Sequence, residues 1–214
     1  MSQRLTASLR TLGEVRALYN YRKMTPAERA EVVAARKAQG WPWHAPPHFG
    51  AEVGWYVISA ACYEHHEILC TAERLSEFST ALLCGLQGEL KAEVQGWVIL
   101  PNHYHLLLRT DLDRFRRWIA RLHNGKSTQW NREDLSPGRR VWFRFSDRWV
   151  RSDRHYYASL NYIHGNPVKH GYAEKVDDWP WSSLHEYLEQ VGRDTLADWW
   201  KRYPVRQYGQ GWDD

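Results

Sequence analysis

The chain has few of the features that mark membrane or secreted proteins. It contains no run of about 18 apolar residues, the length that a membrane-spanning helix needs. Its first residues show no apolar core and no small-residue cleavage site, so we expect no secretory signal. Its three cysteines, Cys62, Cys70 and Cys84, have no metal-like spacing, and we expect them to be reduced thiols of a cytoplasmic protein.

Phenylalanine is also scarce, with 5 residues beside 13 tryptophans and 12 tyrosines. Trp and Tyr have a polar edge that suits surfaces which stack on bases, although they also fill protein cores. The 214 residues are 43% hydrophobic and 25% charged, which is typical of a globular protein and excludes wholesale disorder or a fibrous structure. The length suffices for one ordinary domain with an appendage.

The net charge of +4 is unevenly distributed along the sequence. Residues 1–50 and 111–154 are basic, whereas residues 51–110 and 155–214 are acidic. The block at 111–154 carries 12 basic and 6 acidic side chains, and aromatic residues are interspersed through it. Cations interleaved with stacking rings are typical of a groove for single-stranded nucleic acid, and the alternative is a solvated helix face.

The sequence divides into three parts. Residues 1–50 are predicted to form a helical N-terminal extension, in which a capping box at Thr25 opens the second helix, and a proline-rich connector at 41–50. Residues 51–190 are predicted to form the main domain, and residues 191–214 a C-terminal tail.

Strand-like and helix-like patterns alternate within the main domain. Strands are predicted at 55–63, on both sides of a break at Pro101–Asn102 within 96–110, and at 141–145. Helices are predicted at 73–94, at 112–134, at 153–165, which Pro167 must end, and at 178–188, which Asp178 caps. This order predicts a single α+β domain, with a small antiparallel sheet and helices packed on one side of it.

Two histidines, His103 and His105, lie two residues apart in a predicted strand. Because side chains alternate along a strand, both imidazoles face the same side, while Tyr104 faces the other. Neutral imidazole is a common ligand of divalent transition ions, so the pair is half of a metal site. The alternative is a coincidental pair in a chain with 11 histidines, and we interpret the adjacent His65–His66 as such a structural pair.

A second cluster, NYIHGNPVKHGY, occupies residues 161–172. Tyr162 and Asn166 are four residues apart on a predicted helix and therefore share a face. The amide oxygen of Asn166 would complete a His-His-Asn site, and Tyr162 would hold its hydroxyl beside it, which is a nucleophile arrangement. The alternative for Tyr162 is a core aromatic residue at a helix end.

Together, PNHYHLLL, YIHGNPVKHGY and the following DWPWSS resemble the REP-associated tyrosine transposases, where REP denotes a repetitive extragenic palindrome. These enzymes are a single-tyrosine branch of the HUH endonucleases, named for two histidines that flank a hydrophobic residue. The resemblance covers roughly residues 50–190. Tyr104 departs from the aliphatic middle residue of that pattern but still faces the core.

The resemblance implies a ferredoxin-like or RRM-like fold and a set of roles. His103, His105 and Asn166 look like the ligands of a divalent metal, Mg²⁺ or Mn²⁺, and Tyr162 looks like the nucleophile. Rivals for the nucleophile are Tyr156 and Tyr157, which lie about a turn and a half upstream of Tyr162, and Tyr172, which lies beyond Pro167.

The implied reaction is cleavage and rejoining of single-stranded DNA at palindromic hairpins, through a tyrosine linked to the 5′ phosphate. It needs no ATP and no nucleotide cofactor. We expect a cytoplasmic protein that associates with the bacterial nucleoid and not with a membrane; monomer and dimer both stay open. The cations expected to contact DNA are Arg114, Arg116, Arg117, Arg121, Lys126, Arg148, Arg151, Arg154 and Lys169.

Two other functions fit the same residues. One is a DNA- or RNA-binding module of the same fold without catalysis. The other is a hydrolytic metal nuclease in which Tyr162 is structural.

Overall fold

The computed structural model describes residues 53–205 and, before them, Thr25, Ala27, Glu31 and Ala34. The chain divides into two units, Met1–Gly50 and Ala51–Asp214, and the sheet belongs to the second. The predicted N-terminal extension and connector, and the last nine residues of the predicted tail, lie outside the described residues apart from those four positions. Within the described part of the chain, no helix is long and apolar enough to cross a membrane.

The second unit has a βαββαβ core followed by three more helices. Its strands are β1 (Val53–Ala61), β2 (Glu93–Ile99), β3 (His103–Asp111) and β4 (Ser146–Trp149), and its helices are α1 (Ala72–Gly88), α2 (Leu112–Glu133), α3 (Asp153–Lys169), α4 (Leu184–Val191) and α5 (Arg193–Arg202). The strands form one antiparallel sheet in the order β2-β3-β1-β4. The α+β class and the ferredoxin-like order are therefore confirmed.

Helices cover both faces of the sheet, whereas the sequence predicted them on one side only. On the first face, the Tyr104 ring lies 5.5 Å from Phe78 of α1, and its hydroxyl is 3.0 Å from Nε2 of His123 in α2. On the second face, the Tyr162 ring of α3 lies 5.1 Å from the His105 ring. Strand β3 is buried along most of its length because both of its faces are covered.

Helix α3 comes unusually close to the sheet at Gly96. A Cβ atom at position 96 would lie 2.9 Å from Cδ1 of Leu160, so only glycine leaves room for α3 at this distance. The helix begins at Ser152, whose side chain accepts a hydrogen bond of 3.2 Å from the backbone N–H of His155. The cap at Ser152 thus sets where α3 begins, and Gly96 sets how closely α3 packs on the sheet.

The fourth strand is not at 141–145, where the sequence predicted it, but at Ser146–Trp149. Within 141–145 the structure has an isolated bridge between Trp142 and Cys62. The Trp142 ring is buried in the core and stacks on His123 at 4.2 Å. Core packing rather than strand pairing therefore accounts for the apolar residues of 141–145. The edge strand β4 is formed instead by the largely polar residues Ser146–Trp149.

The prediction that Pro167 ends the third helix was wrong by about one turn. The helix continues to Lys169, with Pro167 inside it, and the N–H of His170 still bonds to the carbonyl of Asn166 at 3.1 Å. Proline removes one backbone donor, but burial of Ile163, Asn166 and Pro167 in the last two turns stabilises the helical course.

The prediction of a helix at 178–188 capped by Asp178 was also wrong at its start. Val176–Asp178 is a short 3-10 turn, and α4 begins only at Leu184. Between them the chain runs beside β2: the N–H of Ile99 bonds to the carbonyl of Trp181, and the N–H of Ser183 bonds to the carbonyl of Trp97. The DWPWSS segment therefore pairs with the outer edge of β2.

The residues predicted as a C-terminal tail include a helix, α5, which packs against α3. The side-chain amide of Asn161 donates to the carbonyl oxygens of Trp199 at 3.1 Å and Tyr203 at 2.9 Å. Tyr157 stacks on Tyr203 with ring centroids 4.8 Å apart. These contacts fix the outer side of the helix that carries Tyr162.

A test of the packing between α1 and α2 is offered by Gly85 and Gly88, two glycines of α1. A Cβ at position 85 would clash with the Trp118 ring, whereas a Cβ at 88 would meet nothing within 4 Å. We expect Gly85→Ala to lower the free energy of unfolding by about 1–3 kcal/mol through overpacking. Gly88→Ala is the matched control and should leave stability unchanged or slightly higher. Urea denaturation measures both, and equal effects would contradict the close approach of α1 and α2.

Candidate metal and nucleophile site

The two histidines of β3 face the helix that carries Tyr162. His103 and His105 pair with Ala61 and Ser59 of β1, and their ring centroids are 5.1 Å apart. Both residues are buried, with His105 fully so. The predicted alternation along β3 is confirmed, because Tyr104 packs on the opposite face against Phe78.

A hydrogen bond holds the outer nitrogen of each imidazole. Nδ1 of His103 lies 2.6 Å from Oδ1 of Asn102, and Nδ1 of His105 lies 2.7 Å from Oγ of Ser59. Such outer hydrogen bonds orient histidines in metal sites. Asn102 and Ser59 were not singled out from the sequence, because Ser59 becomes a neighbour of His105 only through the pairing of β1 with β3.

Asn166 and His103 bring two electron-pair donors together. Oδ1 of Asn166 lies 2.9 Å from Nε2 of His103, and Asn166 is fully buried. Nδ1 of His103 is engaged by Asn102, so Nε2 is the ring nitrogen that faces the amide oxygen. The donor set of two imidazoles and one amide oxygen therefore fits a divalent ion.

Among the described residues, no group of three or more His, Cys, Asp or Glu side chains is arranged to hold a metal ion. The candidate site differs from such groups because its third donor is a neutral amide. Imidazole and amide oxygen are acceptable to Mn²⁺, and oxygen is what Mg²⁺ prefers.

Tyr162 lies beside this donor set, on the same face of α3 as Asn166. Its ring meets the His105 ring edge-on, at 5.1 Å and 68°. It is 2% exposed. Lys169, two turns further along α3, places Nζ 3.4 Å from the Tyr162 hydroxyl and 5.0 Å from the ring centroid. The Tyr162 ring therefore lies against a histidine, and its hydroxyl is hydrogen-bonded to an exposed ammonium group.

His170 also lies at the site, although it was not predicted from the sequence. Its ring centroid is 4.8 Å from that of His103, at an angle of 71°. It follows Lys169 directly and ends α3. Only the continuation of the helix past Pro167 brings it there.

The three rival tyrosines point elsewhere. The Tyr156 ring packs on Trp55, and Tyr157 stacks on Tyr203. The Tyr172 hydroxyl donates to Oε1 of Glu67 at 2.7 Å, and burial together with this carboxylate raises the pKa of Tyr172 well above its ordinary value. The position of Tyr162 against His105 thus favours it over the other three.

The cations expected to contact DNA divide between the two faces of the sheet. Arg114, Arg116, Arg117, Arg121 and Lys126 lie on α2, on the face opposite the histidine pair, whereas Arg148, Arg151, Arg154 and Lys169 lie at β4 and α3. Several of the first group form ion pairs within the fold.

Lys126 on α2 shows this most clearly, because its Nζ bonds to Glu77 at 2.7 Å and its side chain is only 12% exposed. Arg116 pairs with Asp113 at 3.3 Å, and Arg121 pairs with Glu89 at 3.5 Å. The structure therefore brings the second group, and not the α2 group, to the side of the sheet that carries Tyr162.

Comparison with known proteins gives two curated relatives, although no protein-family model matches the chain. A putative REP-associated tyrosine transposase of Haemophilus influenzae is 38% identical over 98 residues, 41% of this chain and 56% of the relative. A REP-associated tyrosine transposase of Escherichia coli is 32% identical over 97 residues, 44% of this chain and 54% of the relative. The chain spans about half the length of these curated relatives.

The fold is similar to that of a solved REP-associated tyrosine transposase bound to a REP hairpin. The TM-score is 0.53 at 22% identity, over 65% of this chain and 82% of that one. The structural likeness shows the fold, and the two curated relatives confirm the resemblance that the motifs predicted.

The donor set is tested by the thermal stability of the protein with and without Mn²⁺. We expect Mn²⁺ at about 100 times its Kd to stabilise the fold by about 2.7 kcal/mol, because the ion binds the folded chain alone. The shift should disappear in His105→Ala and Asn166→Ala, each compared with its own value in EDTA. His66→Ala, at a site 62% exposed, is the control and should keep the full shift. An undiminished shift in both site variants would place the ion elsewhere.

Proposed function

We propose that this chain is a metal-dependent transposase that cleaves and rejoins single-stranded DNA at REP-like hairpins through Tyr162. The observation that carries the proposal is the Tyr162 ring 5.1 Å from the His105 ring, on a helix whose Asn166 meets His103 at 2.9 Å. The curated relatives are named as such transposases, and the structural neighbour is bound to a REP hairpin. The chain would act in the cytoplasm, where it associates with nucleoid DNA.

In this proposal His103, His105 and Asn166 hold a divalent metal ion. The ion would supply a positive charge that polarises the scissile phosphate. Asn102 and Ser59 keep both imidazoles in the ligating orientation through their hydrogen bonds to Nδ1.

Tyr162 is the nucleophile. Its hydroxyl oxygen forms a bond to phosphorus, the bond from phosphorus to the 3′ oxygen of the preceding nucleotide breaks, and that oxygen takes a proton from water to become a free 3′ hydroxyl. The Tyr162 proton passes to water. The enzyme is then joined to the 5′ phosphate, and attack by a 3′ hydroxyl reverses the step without ATP.

Lys169 has a positioning role in this scheme. At 2% exposure, Tyr162 is reached by a phosphate only if a covering side chain moves, and Lys169 is the exposed side chain hydrogen-bonded to its hydroxyl. The ammonium group can turn from the phenol toward the incoming phosphate. Arg148, Arg151 and Arg154 extend the positive charge along β4 and the start of α3.

The nucleophile is tested by incubating a labelled REP-type hairpin with the protein and Mn²⁺ on a denaturing gel. The parent should yield a covalent protein–DNA adduct, which EDTA abolishes. Tyr162→Phe should abolish the adduct while hairpin binding persists, since only one hydroxyl is removed. Tyr157→Phe is the matched control and should form the adduct as the parent does.

Other results on this gel decide against the proposal. Cut DNA without an adduct would indicate a hydrolytic nuclease in which Tyr162 is structural. Bound but intact DNA would indicate a binding module without catalysis. An adduct that survives in Tyr162→Phe would assign the nucleophile to another tyrosine.

The role of Lys169 is tested by Lys169→Met, which keeps the length of the side chain and removes its charge. We expect the cleavage rate to fall at least about tenfold, roughly 1.4 kcal/mol in the barrier, because the hydroxyl loses its hydrogen-bond donor. Lys169→Arg should recover part of the rate. Arg117→Met, which removes one charge from the exposed side of α2, is the control and should leave the rate of single-turnover cleavage unchanged. Equal losses of rate in Lys169→Met and Arg117→Met would indicate a general effect of net charge.

A further inference from the structure

Three side chains form a cluster at the end of the sheet where β1 ends. The rings of Tyr63 and Phe143 are 4.9 Å apart, and Cζ of Arg140 lies 4.5 Å from the centroid of Tyr63 and 5.3 Å from that of Phe143. We call Tyr63, Arg140 and Phe143 the stacking cluster. Phe143 is 38% exposed, although large apolar side chains are usually buried.

The stacking cluster lies on the same face of the sheet as the histidine pair. Trp142 pairs with Cys62, and its ring lies in the core on the face of α1 and α2. Phe143, the next residue, therefore faces the other side. Its N–H bonds to the carbonyl of Ala61 at 2.9 Å, and Ala61 is the β1 partner of His103.

The distance between the cluster and the site suits adjacent nucleotides. His103 and Phe143 are two strand positions apart, about 10 Å between backbones. The residues between and beside them are small: Ala61 and Ser59 in β1, and Ser146, which pairs with Ser59. A shallow floor of small side chains thus joins the histidines to the exposed rings.

Phe143 is not needed to fill the core at this place, because the adjacent Trp142 is buried there. Arg140 is held in place, since Nε donates to the carbonyl of Trp142 at 3.3 Å while Cζ lies over the two rings. Aromatic rings with a fixed cation form the combination that binds the bases and phosphates of single strands.

We propose that the stacking cluster binds one unpaired base of the strand whose phosphate lies at His103 and His105. The inference rests on the proposed function, because it takes its ligand from the DNA that is cleaved. Phe143 and Tyr63 stack on the base, and Arg140 contacts its phosphate. The cluster thereby sets which phosphate along the single strand comes to rest at Tyr162.

The test uses a REP-type hairpin with four unpaired nucleotides at its foot and the same hairpin with a blunt end. Binding is measured by fluorescence anisotropy in EDTA, so that no cleavage occurs. The parent should bind the tailed hairpin more tightly, by about 5- to 150-fold for one stacked base. One abasic substitution among the four nucleotides should remove most of this preference.

Phe143→Ala and Phe143→Leu should bind the hairpin with the intact tail and the hairpin with the abasic tail equally, because the ring that discriminates between the two tails is gone. Phe143→Tyr should restore the difference. Arg140→Gln should reduce the salt dependence of binding by a log–log slope of about 0.7, the value for one phosphate contact with a single strand. Trp149→Ala removes an exposed aromatic residue from the other face of the sheet and is the control, which should behave as the parent.

The outcomes separate this proposal from the proposed function. If the parent forms the covalent adduct but Phe143→Ala stays as sensitive to the abasic nucleotide as the parent, the stacking cluster is overturned and the transposase activity stands. If Trp149→Ala alone loses the sensitivity, the base stacks on the opposite face. If the parent forms no adduct and shows no preference for the tailed hairpin, both proposals fail. Thermal melting of each variant establishes that it is folded.

Discussion

The pairing of β1 with β3 is the constraint on which the candidate site depends. It sets Ser59 opposite His105 and Ala61 opposite His103, so that one strand supplies the donors of the site and its neighbour supplies the hydrogen bond that orients them. A shift of the pairing by one residue would turn both imidazoles into the core beside α1 and α2 and bring Tyr104 to the site. Burial of Tyr104 between Phe78 and His123 opposes that shift.

The second requirement is the placement of α3, whose residues face the same donors. Gly96 lets the helix approach the sheet, and Asn161 ties its outer side to the end of α5. Between these supports the spacing of the helix brings Tyr162, Asn166 and Lys169 to one face within two turns. The reactive groups therefore come from rigid elements, so that small shifts in loops change their distances little.

The parts of the site that were predictable are those set by local periodicity. A strand places His103 and His105 on one side, and a helix places Tyr162 and Asn166 on one face, whatever the rest of the chain does. The parts that were not predictable depend on contacts between distant segments. Ser59 reaches the site through strand pairing, and His170 reaches it because buried contacts carry α3 past Pro167.

The positions of the charged side chains in the fold also depend on contacts between distant segments. The composition of 111–154 indicated a basic groove, but that block crosses from one face of the sheet to the other as the chain passes from α2 to β4. The arginines of α2 belong to one face and Arg148 to the other. The prediction of a strand at 141–145 was wrong for a related reason, because the apolar Trp142 fills the core and does not extend the sheet.

The pairing of Trp181 and Ser183 with β2 makes the two borders of the sheet unlike. At Trp97 and Ile99 the outer backbone groups of β2 are already engaged by the chain itself, which leaves less of this border open to another strand. The other border is β4, which is four residues long and carries Asp147 and Arg148. A short border with charged side chains is a poor template for another chain, which protects the protein against edge-to-edge aggregation.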